Sequence, residues 1–90
     1  MAWKIEYTKT ALGQLAGIDR EAAKGIKKYL DVRVASNEDP RRFGDPLKRE
    51  MSGLWKYRVG AFRIIVEIQE DRVVVLVVRI GHRSKIYGGH

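Results

Sequence analysis

Three consecutive strand-like segments fill the second half of the chain and require a fold built on a sheet. Apolar and polar residues alternate over 55–59 and again over 62–68, and turn-forming pairs follow each segment, Gly60-Ala61 and Glu70-Asp71. The third segment, 73–80, opens with six apolar residues in a row. Because such a run is apolar on both faces, we expect an interior strand that is covered on both sides.

The first half of the chain supplies one strand and two helices. Residues 3–7 alternate like a half-buried strand, and Thr8 and Asp19 are favourable helix N-caps. We therefore expect one helix over 9–16 and a second from residue 20 onward, which form a hairpin that packs on the sheet. The residues expected in its apolar stripes, with no catalytic role, are Ala11, Leu12, Leu15, Ala22, Ile26, Tyr29, Leu30 and Val34.

This order of elements predicts an α+β fold. A two-helix hairpin packs on one face of a mostly antiparallel sheet of four to five strands, the first of which is N-terminal. We expect residues 1–90 to form a single domain, since 90 residues is the length of one. The absence of cysteine excludes disulfides and cysteine-based zinc sites. No apolar stretch is as long as that of a signal peptide or a membrane span, so we expect a cytoplasmic protein without membrane association.

The chain carries a formal net charge of +7, which attracts polyanions, chiefly nucleic acid. Four of the basic residues lie in the polar, irregular region 37–53, which is long for a connection in a compact domain. The region is either a solvated connection or a basic rim for RNA or an acidic partner. Its basic residues are Arg41, Arg42, Lys48 and Arg49.

The hairpin around Gly60-Ala61 concentrates three more cations on one face. If those two residues form the turn, Arg58 faces Arg63, and Lys56 lies one pair further along on the same side. Like charges directly opposite each other destabilise a strand pair by up to about 1 kcal/mol. The placement therefore indicates a surface for an anion, most simply a phosphate, and the alternative is a solvated basic face.

The segment 81–87, Gly-His-Arg-Ser-Lys-Ile-Tyr, gathers the side chains that RNA cleavage without a metal requires. In that reaction the ribose 2′-hydroxyl attacks phosphorus, one group takes its proton, another stabilises the added negative charge, and a third protonates the leaving 5′-oxygen. His82 suits proton transfer, Arg83 and Lys85 suit charge stabilisation, and Tyr87 suits activation of the hydroxyl.

Other chemistries find little support in the sequence. There is no glycine-rich phosphate loop, and His82 and His90 are not spaced as metal ligands. Ser84 has no His and Asp partners in a recognisable arrangement. We therefore expect neither a cofactor nor a metal.

Residues 54–68 and 73–87 resemble the RelE branch of the RelE/ParE toxin superfamily, and the preceding strand and helices match the same fold. The most specific parts are the hairpin motif W-K-Y-R-x-G-x-(F/Y)-R and the ending G-H-R-x-x-x-Y. The resemblance implies a RelE-like fold and a bacterial or archaeal toxin of a type II toxin–antitoxin pair. Toxins of this branch cleave messenger RNA in the ribosomal A site and so inhibit translation.

The resemblance also implies roles for individual residues and partners. Lys56, Arg58 and Arg63 match the basic strand residues that hold phosphate and stabilise charge. Arg83 matches the arginine at the scissile phosphate or leaving group, and Tyr87 matches the tyrosine that stacks on or activates the attacking nucleotide. His82 stands where many relatives have histidine. Further contacts with RNA or the ribosome are expected at Arg41, Arg42, Lys48, Arg49 and Lys85. The expected partners are the ribosome with its messenger and a RelB-like antitoxin in a hetero-oligomer.

One departure and two alternatives accompany this interpretation. Arg58 stands where the best-known members have lysine, and arginine holds its charge but cannot act as a base, so that role would fall to Tyr87 or His82. The first alternative is a ParE-like toxin that poisons DNA gyrase without chemistry. The second is an RNA-binding module that has lost its toxicity.

Overall fold

The structure is a computed structural model, and it describes residues 3–36, 39–46 and 53–82. Two helices follow a first strand, and four further strands follow the helices. The elements are β1 (Lys4–Tyr7), α1 (Lys9–Gly17), α2 (Arg20–Lys28), a π-helical extension of α2 (Tyr29–Val34), a 3-10 helix (Pro40–Phe43), β2 (Asp45–Pro46), β3 (Leu54–Val59), β4 (Phe62–Gln69) and β5 (Val74–His82).

The strands form one five-stranded sheet in the order β1-β5-β4-β3-β2. Among the described strands only the pairing of β1 with β5 is parallel, and the other three pairings are antiparallel. The α+β fold predicted from the sequence is therefore confirmed. Residues 74–78 of the apolar run lie in β5, which is an interior strand between β1 and β4, as expected.

Both predicted N-caps begin their helices. The Thr8 hydroxyl accepts a hydrogen bond from the Ala11 amide at 3.1 Å, and the Asp19 carboxylate accepts from the Glu21 and Ala22 amides at 3.1 and 3.2 Å. Each bond satisfies an amide that has no partner inside its helix, which fixes where the helix starts.

The helical hairpin packs on one face of the sheet, here called the helix face. Ile26, Leu30 and Val34 of the hairpin are at most 1% exposed, but Leu12 is 51% exposed, so the expectation that it packs in the core is wrong. Among the described residues no helix covers the other face of the sheet, here called the open face, so β5 has helical cover on one side only. The core consists of Ala11, Leu15, Ile26, Leu30, Val34, Tyr57, Ile64, Val66, Val75, Val77 and Ile80.

The described segment 39–46, between the helices and the hairpin, has regular structure that the sequence did not predict. The segment 39–46 forms a 3-10 helix and a two-residue strand, β2, which pairs with β3. Gly44 allows this close approach, because a Cβ atom there would lie 2.8 Å from the ring of Tyr57. Two residues are too few to show an alternating pattern, which explains why β2 was not predicted.

Candidate nucleic-acid interface

The β3–β4 hairpin has the register that the sequence predicts. Val59 pairs with Phe62 on either side of a two-residue turn, and Gly60 adopts a φ of +59°. A positive φ at the first turn position is typical of type II′ turns, where glycine carries no steric penalty. Every later pair of the hairpin follows from this turn.

Three predicted site cations meet on the open face of this hairpin. Arg58 lies directly opposite Arg63, and Lys56 lies opposite Ile65, one pair further along. Arg58 is exposed, whereas Lys56 and Arg63 are partly buried. Side chains that are directly opposite in an antiparallel pair stand about 4.5–5.5 Å apart at their Cβ atoms, so the two guanidinium groups can reach the same anion.

Strand β5 contains a β-bulge that changes which residues face the helices. Ile65 pairs with Arg79 and Val66 pairs with Val77, so β5 has one extra residue, Val78, between these pairs. As a result Val77 and Ile80 both enter the core, at 0% and 1% exposure, although regular alternation would put them on opposite faces.

The bulge brings a fourth cation to the open face. Arg79 lies directly across from Ile65, which itself lies across from Lys56. Arg79 was not predicted as a site residue, because simple alternation from Val77 would direct its side chain toward the helices. One sequence signal points to the bulge. Alternation from Val77 would put Ile80 on the open face, yet Ile80 is apolar and the preceding residue is charged.

The same bulge separates His82 from these cations. His82 pairs with Phe62, and the two rings lie edge to face with their centroids 5.8 Å apart. Phe62 packs against the core on the helix face, so His82 lies on that side as well. The structure therefore places His82 on the opposite face of the sheet from Arg58 and Arg63, and its role in catalysis stays a prediction.

Five of the predicted site residues lie outside the described residues. From the C-terminal segment these are Arg83, Lys85 and Tyr87, and from the connection before β3 they are Lys48 and Arg49. Their roles stay predictions.

Arg41 belongs to a different environment from the hairpin cations. Its guanidinium forms ion pairs with Asp39 at 3.1 Å and Glu70 at 2.9 Å, and it lies 5.9 Å from the centre of the Trp55 ring. Burial disfavours its charge, but the hydrogen bonds with Asp39 and Glu70 raise the pKa of Arg41. The structure therefore makes Arg41 a clamp between the 3-10 helix and the β4–β5 turn. Its neighbour Arg42 is exposed.

Tyr57 holds the 3-10 helix from the core side of the sheet. It faces the helices, and its hydroxyl donates a hydrogen bond of 2.7 Å to the buried carbonyl of Pro40. Burial raises the pKa of Tyr57 well above its ordinary value, with a smaller contribution from Tyr29. This tyrosine stays protonated and does not serve as a base.

The far end of the open face carries mixed charge. Arg72 forms an ion pair with Glu6 at 3.4 Å and a hydrogen bond with Gln69 at 2.7 Å, and Lys4 lies 3.9 Å from Glu6. At the hairpin end the open face carries Lys56, Arg58 and Arg63, and Asp45 of β2 lies directly opposite Lys56, so positive charge exceeds negative charge there. An RNA backbone would be attracted to that end.

The chemistry that the described cations offer is charge stabilisation. Lys56, Arg58 and Arg63 can hold a phosphate and stabilise the charge that builds up during its cleavage. In the part of the chain that the structure describes, no group of three or more His, Cys, Asp or Glu side chains could hold a metal ion. None of the described helices has the length and apolar character needed to cross a membrane.

Residues 5–87 match the family described as the ParE toxin of the type II toxin–antitoxin system parDE. The chain belongs to this toxin family. Its curated relatives include Toxin RelG of Mycobacterium tuberculosis, which is 26% identical over 87 residues that cover 97% of this chain and 98% of RelG. Toxin RelE of the same organism is 26% identical over 85 residues, which cover 94% of this chain and 86% of that toxin.

Solved toxin structures share the fold of the chain. In the toxin–antitoxin complex RelBE2 from Mycobacterium tuberculosis, one chain superposes with a TM-score of 0.84 at 24% identity, covering 93% of this chain and 94% of that one. A mutant of the E. coli toxin RelE in the free state gives a TM-score of 0.77 at 26% identity, with 98% and 93% covered. The protein is therefore a RelE-like type II toxin of the RelE/ParE superfamily, as the sequence motifs indicated.

Proposed function

We propose that this RelE-like toxin is a ribosome-dependent endoribonuclease that cleaves messenger RNA in the ribosomal A site and so stops translation. The observation that carries the proposal is the pair Arg58–Arg63, two arginines directly opposite each other on an open sheet face, with Lys56 beside them. The arrangement costs stability in isolation, and an RNA phosphate would compensate for it. The names of the relatives RelE and RelG support the same conclusion.

The proposed reaction is an attack by the ribose 2′-oxygen on the adjacent phosphorus. A bond forms between that oxygen and phosphorus, the bond from phosphorus to the 5′-oxygen breaks, and a 2′,3′-cyclic phosphate results. Lys56, Arg58 and Arg63 stabilise the charge on the phosphoryl oxygens. One proton leaves the 2′-hydroxyl and another reaches the departing 5′-oxygen.

We assign the proton transfers and leaving-group contact to the C-terminal segment. Arginine does not release its proton at physiological pH, so neither Arg58 nor Arg63 can act as the base. His82 lies on the helix face with Phe62, which makes it the weaker candidate. In this proposal Tyr87 takes the proton from the 2′-hydroxyl and Arg83 stabilises the leaving oxygen.

We further propose that residues 1–90 act as one toxin domain in the cytoplasm of a bacterium or archaeon, where the ribosome and messenger are available. The neutralising partner in this proposal is a RelB-like antitoxin. RelE-type toxins have been solved in toxin–antitoxin complexes from E. coli and from Pyrococcus horikoshii. An acidic segment of the antitoxin would fold over Lys56 and Arg58 and block access to RNA.

A second candidate is a toxin that poisons DNA gyrase without chemistry, which is favoured by the ParE description of the matching family. The two candidates differ in what they require of the open face. Cleavage needs the hairpin cations together with Arg83 and Tyr87, whereas a gyrase poison needs a docking surface only.

The deciding experiment is controlled expression in a bacterium, with mapping of messenger 5′ ends. The wild type is compared with the variant Arg83→Ala/Tyr87→Ala, and with Arg20→Ala as a control at the exposed start of α2. The proposal expects growth arrest with new cuts in register with the codons, lost in the double variant and kept in the control. Arrest without cuts would instead support the gyrase poison, and no arrest would indicate an RNA-binding module without toxicity.

A further inference from the structure

Strand β5 extends the basic surface beyond the hairpin, to a residue that sequence motifs leave without a role. The register defines two adjacent rows across β3, β4 and β5. One row is Lys56, Ile65 and Arg79, and the next is Arg58, Arg63 and Gly81. Arg79 is therefore a diagonal neighbour of Arg63, about 7–8 Å away along the sheet, within reach of two long side chains.

The position of Arg79 is held by two hydrogen bonds from the start of the chain. The Thr8 hydroxyl donates to the carbonyl of Val78 at 3.3 Å, and the Gln14 side-chain oxygen accepts from the amide of Ile80 at 2.6 Å. These contacts hold the backbone on both sides of Arg79. The bulge that directs Arg79 to the open face is thus fixed by the β1–α1 unit, and does not depend on the Arg79 side chain itself.

The surroundings of Arg79 leave room for a ligand. Strand β1 pairs with β5 only as far as Tyr7 and Val77, so in the described part of the chain no strand borders Arg79 on that side. Arg79 is exposed, and it takes part in none of the ion pairs among the described residues.

Gly81 provides the space between Arg79 and Arg63. It lies inside β5, where glycine weakens a strand and commonly marks a site where a ligand comes close to the backbone. Because Gly81 is paired with Arg63, any side chain at position 81 would project onto the open face next to that guanidinium. Its absence leaves the surface open between the two arginines.

We propose that Arg79 binds a second phosphate of the RNA, next to the one held by Arg58 and Arg63, and that Gly81 leaves room for the nucleotide between them. Lys56 and Arg79 are two strand spacings apart, about 10 Å, so the four cations extend along a stretch of backbone rather than around one group. The inference rests on the proposed function, because it takes single-stranded RNA as the ligand. It makes β5 a binding strand in addition to the hairpin.

The test is RNA binding without cleavage. Wild type, Arg79→Gln and Arg20→Gln are titrated with a short single-stranded RNA whose 2′-hydroxyls are methylated, so that no 2′-oxygen can attack. Fluorescence anisotropy is measured over a series of salt concentrations. Arg79→Gln should weaken binding about tenfold at low salt and lower the slope of log affinity against log salt by about 0.7, the value for one phosphate contact with a single strand. Arg20→Gln, an exposed arginine in α2, should change neither quantity.

Two further variants separate the possible failures. Arg79→Lys keeps the charge and should keep the salt slope, and a loss as large as that of Arg79→Gln would overturn the phosphate contact. An unchanged affinity and slope in Arg79→Gln, while Arg58→Glu/Arg63→Glu loses binding, would overturn the role of Arg79 and leave the proposed function standing. If the double variant binds like the wild type, the open face is not the RNA-binding surface, and the proposed function and the role of Arg79 fail together. A wild type that does not bind this RNA overturns the role of Arg79 alone, because ribosome-dependent cleavage is decided by the mapping of messenger 5′ ends.

Discussion

Arg41 and Arg58 both come from basic stretches of the sequence, yet the fold places them in opposite electrostatic surroundings. Arg41 lies between the carboxylates of Asp39 and Glu70, so its charge is neutralised locally. Arg58 faces another arginine, Arg63, and forms no ion pair with a described carboxylate. The surroundings of a cation, more than its presence in a basic region, therefore distinguish a residue that stabilises the fold from one available to a ligand.

The two regions should therefore respond differently to substitution. Around Arg41, the 3-10 helix is held by ion pairs and by the hydrogen bond from Tyr57 to Pro40, so changes there should lower stability and spare activity. On the open face, the pair Arg58–Arg63 contributes repulsion to the free protein, so changes there should remove activity and spare stability, or increase it.

The largest effect is expected from reversing the charges on the open face. Arg58→Glu/Arg63→Glu should abolish growth arrest and lower messenger cleavage by about a hundredfold or more, because two groups that stabilise the transition state are replaced by groups that repel phosphate. Circular dichroism should show an unchanged fold. A folded double variant that still arrests growth would refute the assignment of this face.

The matched control for this reversal is Arg41→Gln, which removes the cation between Asp39 and Glu70 and leaves the open face intact. It should keep messenger cleavage at the level of the wild type and lower the unfolding temperature slightly, since partly exposed ion pairs contribute about 0–1 kcal/mol. Loss of cleavage in Arg41→Gln would mean that Arg41 contributes to activity as Arg58 does.

The next largest effect is on stability and comes from the hydrogen bond under the 3-10 helix. Tyr57→Phe removes the donor to the buried carbonyl of Pro40, and an unsatisfied buried acceptor costs about 1–3 kcal/mol. Urea unfolding should show this loss while cleavage is unchanged. Tyr29→Phe is the control, because it removes a hydroxyl from the neighbouring ring, 6.1 Å away, and leaves the bond to Pro40 in place. Equal losses in the two variants would contradict the role of that bond.

The raised pKa of Tyr57 predicts that the stability of the protein falls at alkaline pH. Burial raises the pKa of Tyr57 in the folded protein above the ordinary value of 10.0. The unfolded chain therefore ionises first, and stability should fall as pH rises above about 10. Tyr57→Phe cannot ionise at this position, so its stability should fall less steeply over the same range. If the stability of the two proteins falls equally steeply with pH, the ionisation of Tyr57 is not the cause of the fall.

Much of the fold could be predicted because its signals are local. Thr8 and Asp19 begin their helices where capping chemistry puts them, and the hairpin register follows from the turn at Gly60. Leu12 is the exception within the helices. Its neighbours fit one apolar stripe, but where a helix touches the sheet is decided by packing and not by the helical period alone.

The parts that could not be predicted depend on long-range contacts. The bulge at Val78 is held by Thr8 and Gln14, which are some 65–70 residues away in sequence. An isolated β5 carries no sign of those partners, so alternation alone misplaces Arg79 and gives no indication that His82 faces the helices. The ion pair of Arg41 with Glu70 also joins residues that are far apart in the sequence, which is why Arg41 could not be told apart from Arg58 by sequence.

The smallest effect tests the repulsion itself. Arg58→Thr replaces a charge by a residue that favours strands, so it should raise the free energy of unfolding by about 0.2–1 kcal/mol while messenger cleavage falls. Arg58→Lys, the control, keeps the charge and should leave stability nearly unchanged. Added salt screens like charges, so it should stabilise the wild type more than Arg58→Thr. A variant that is less stable than the wild type at every salt concentration would mean that Arg58 supports the fold as Arg41 does, and the contrast between the two arginines would no longer separate function from stability.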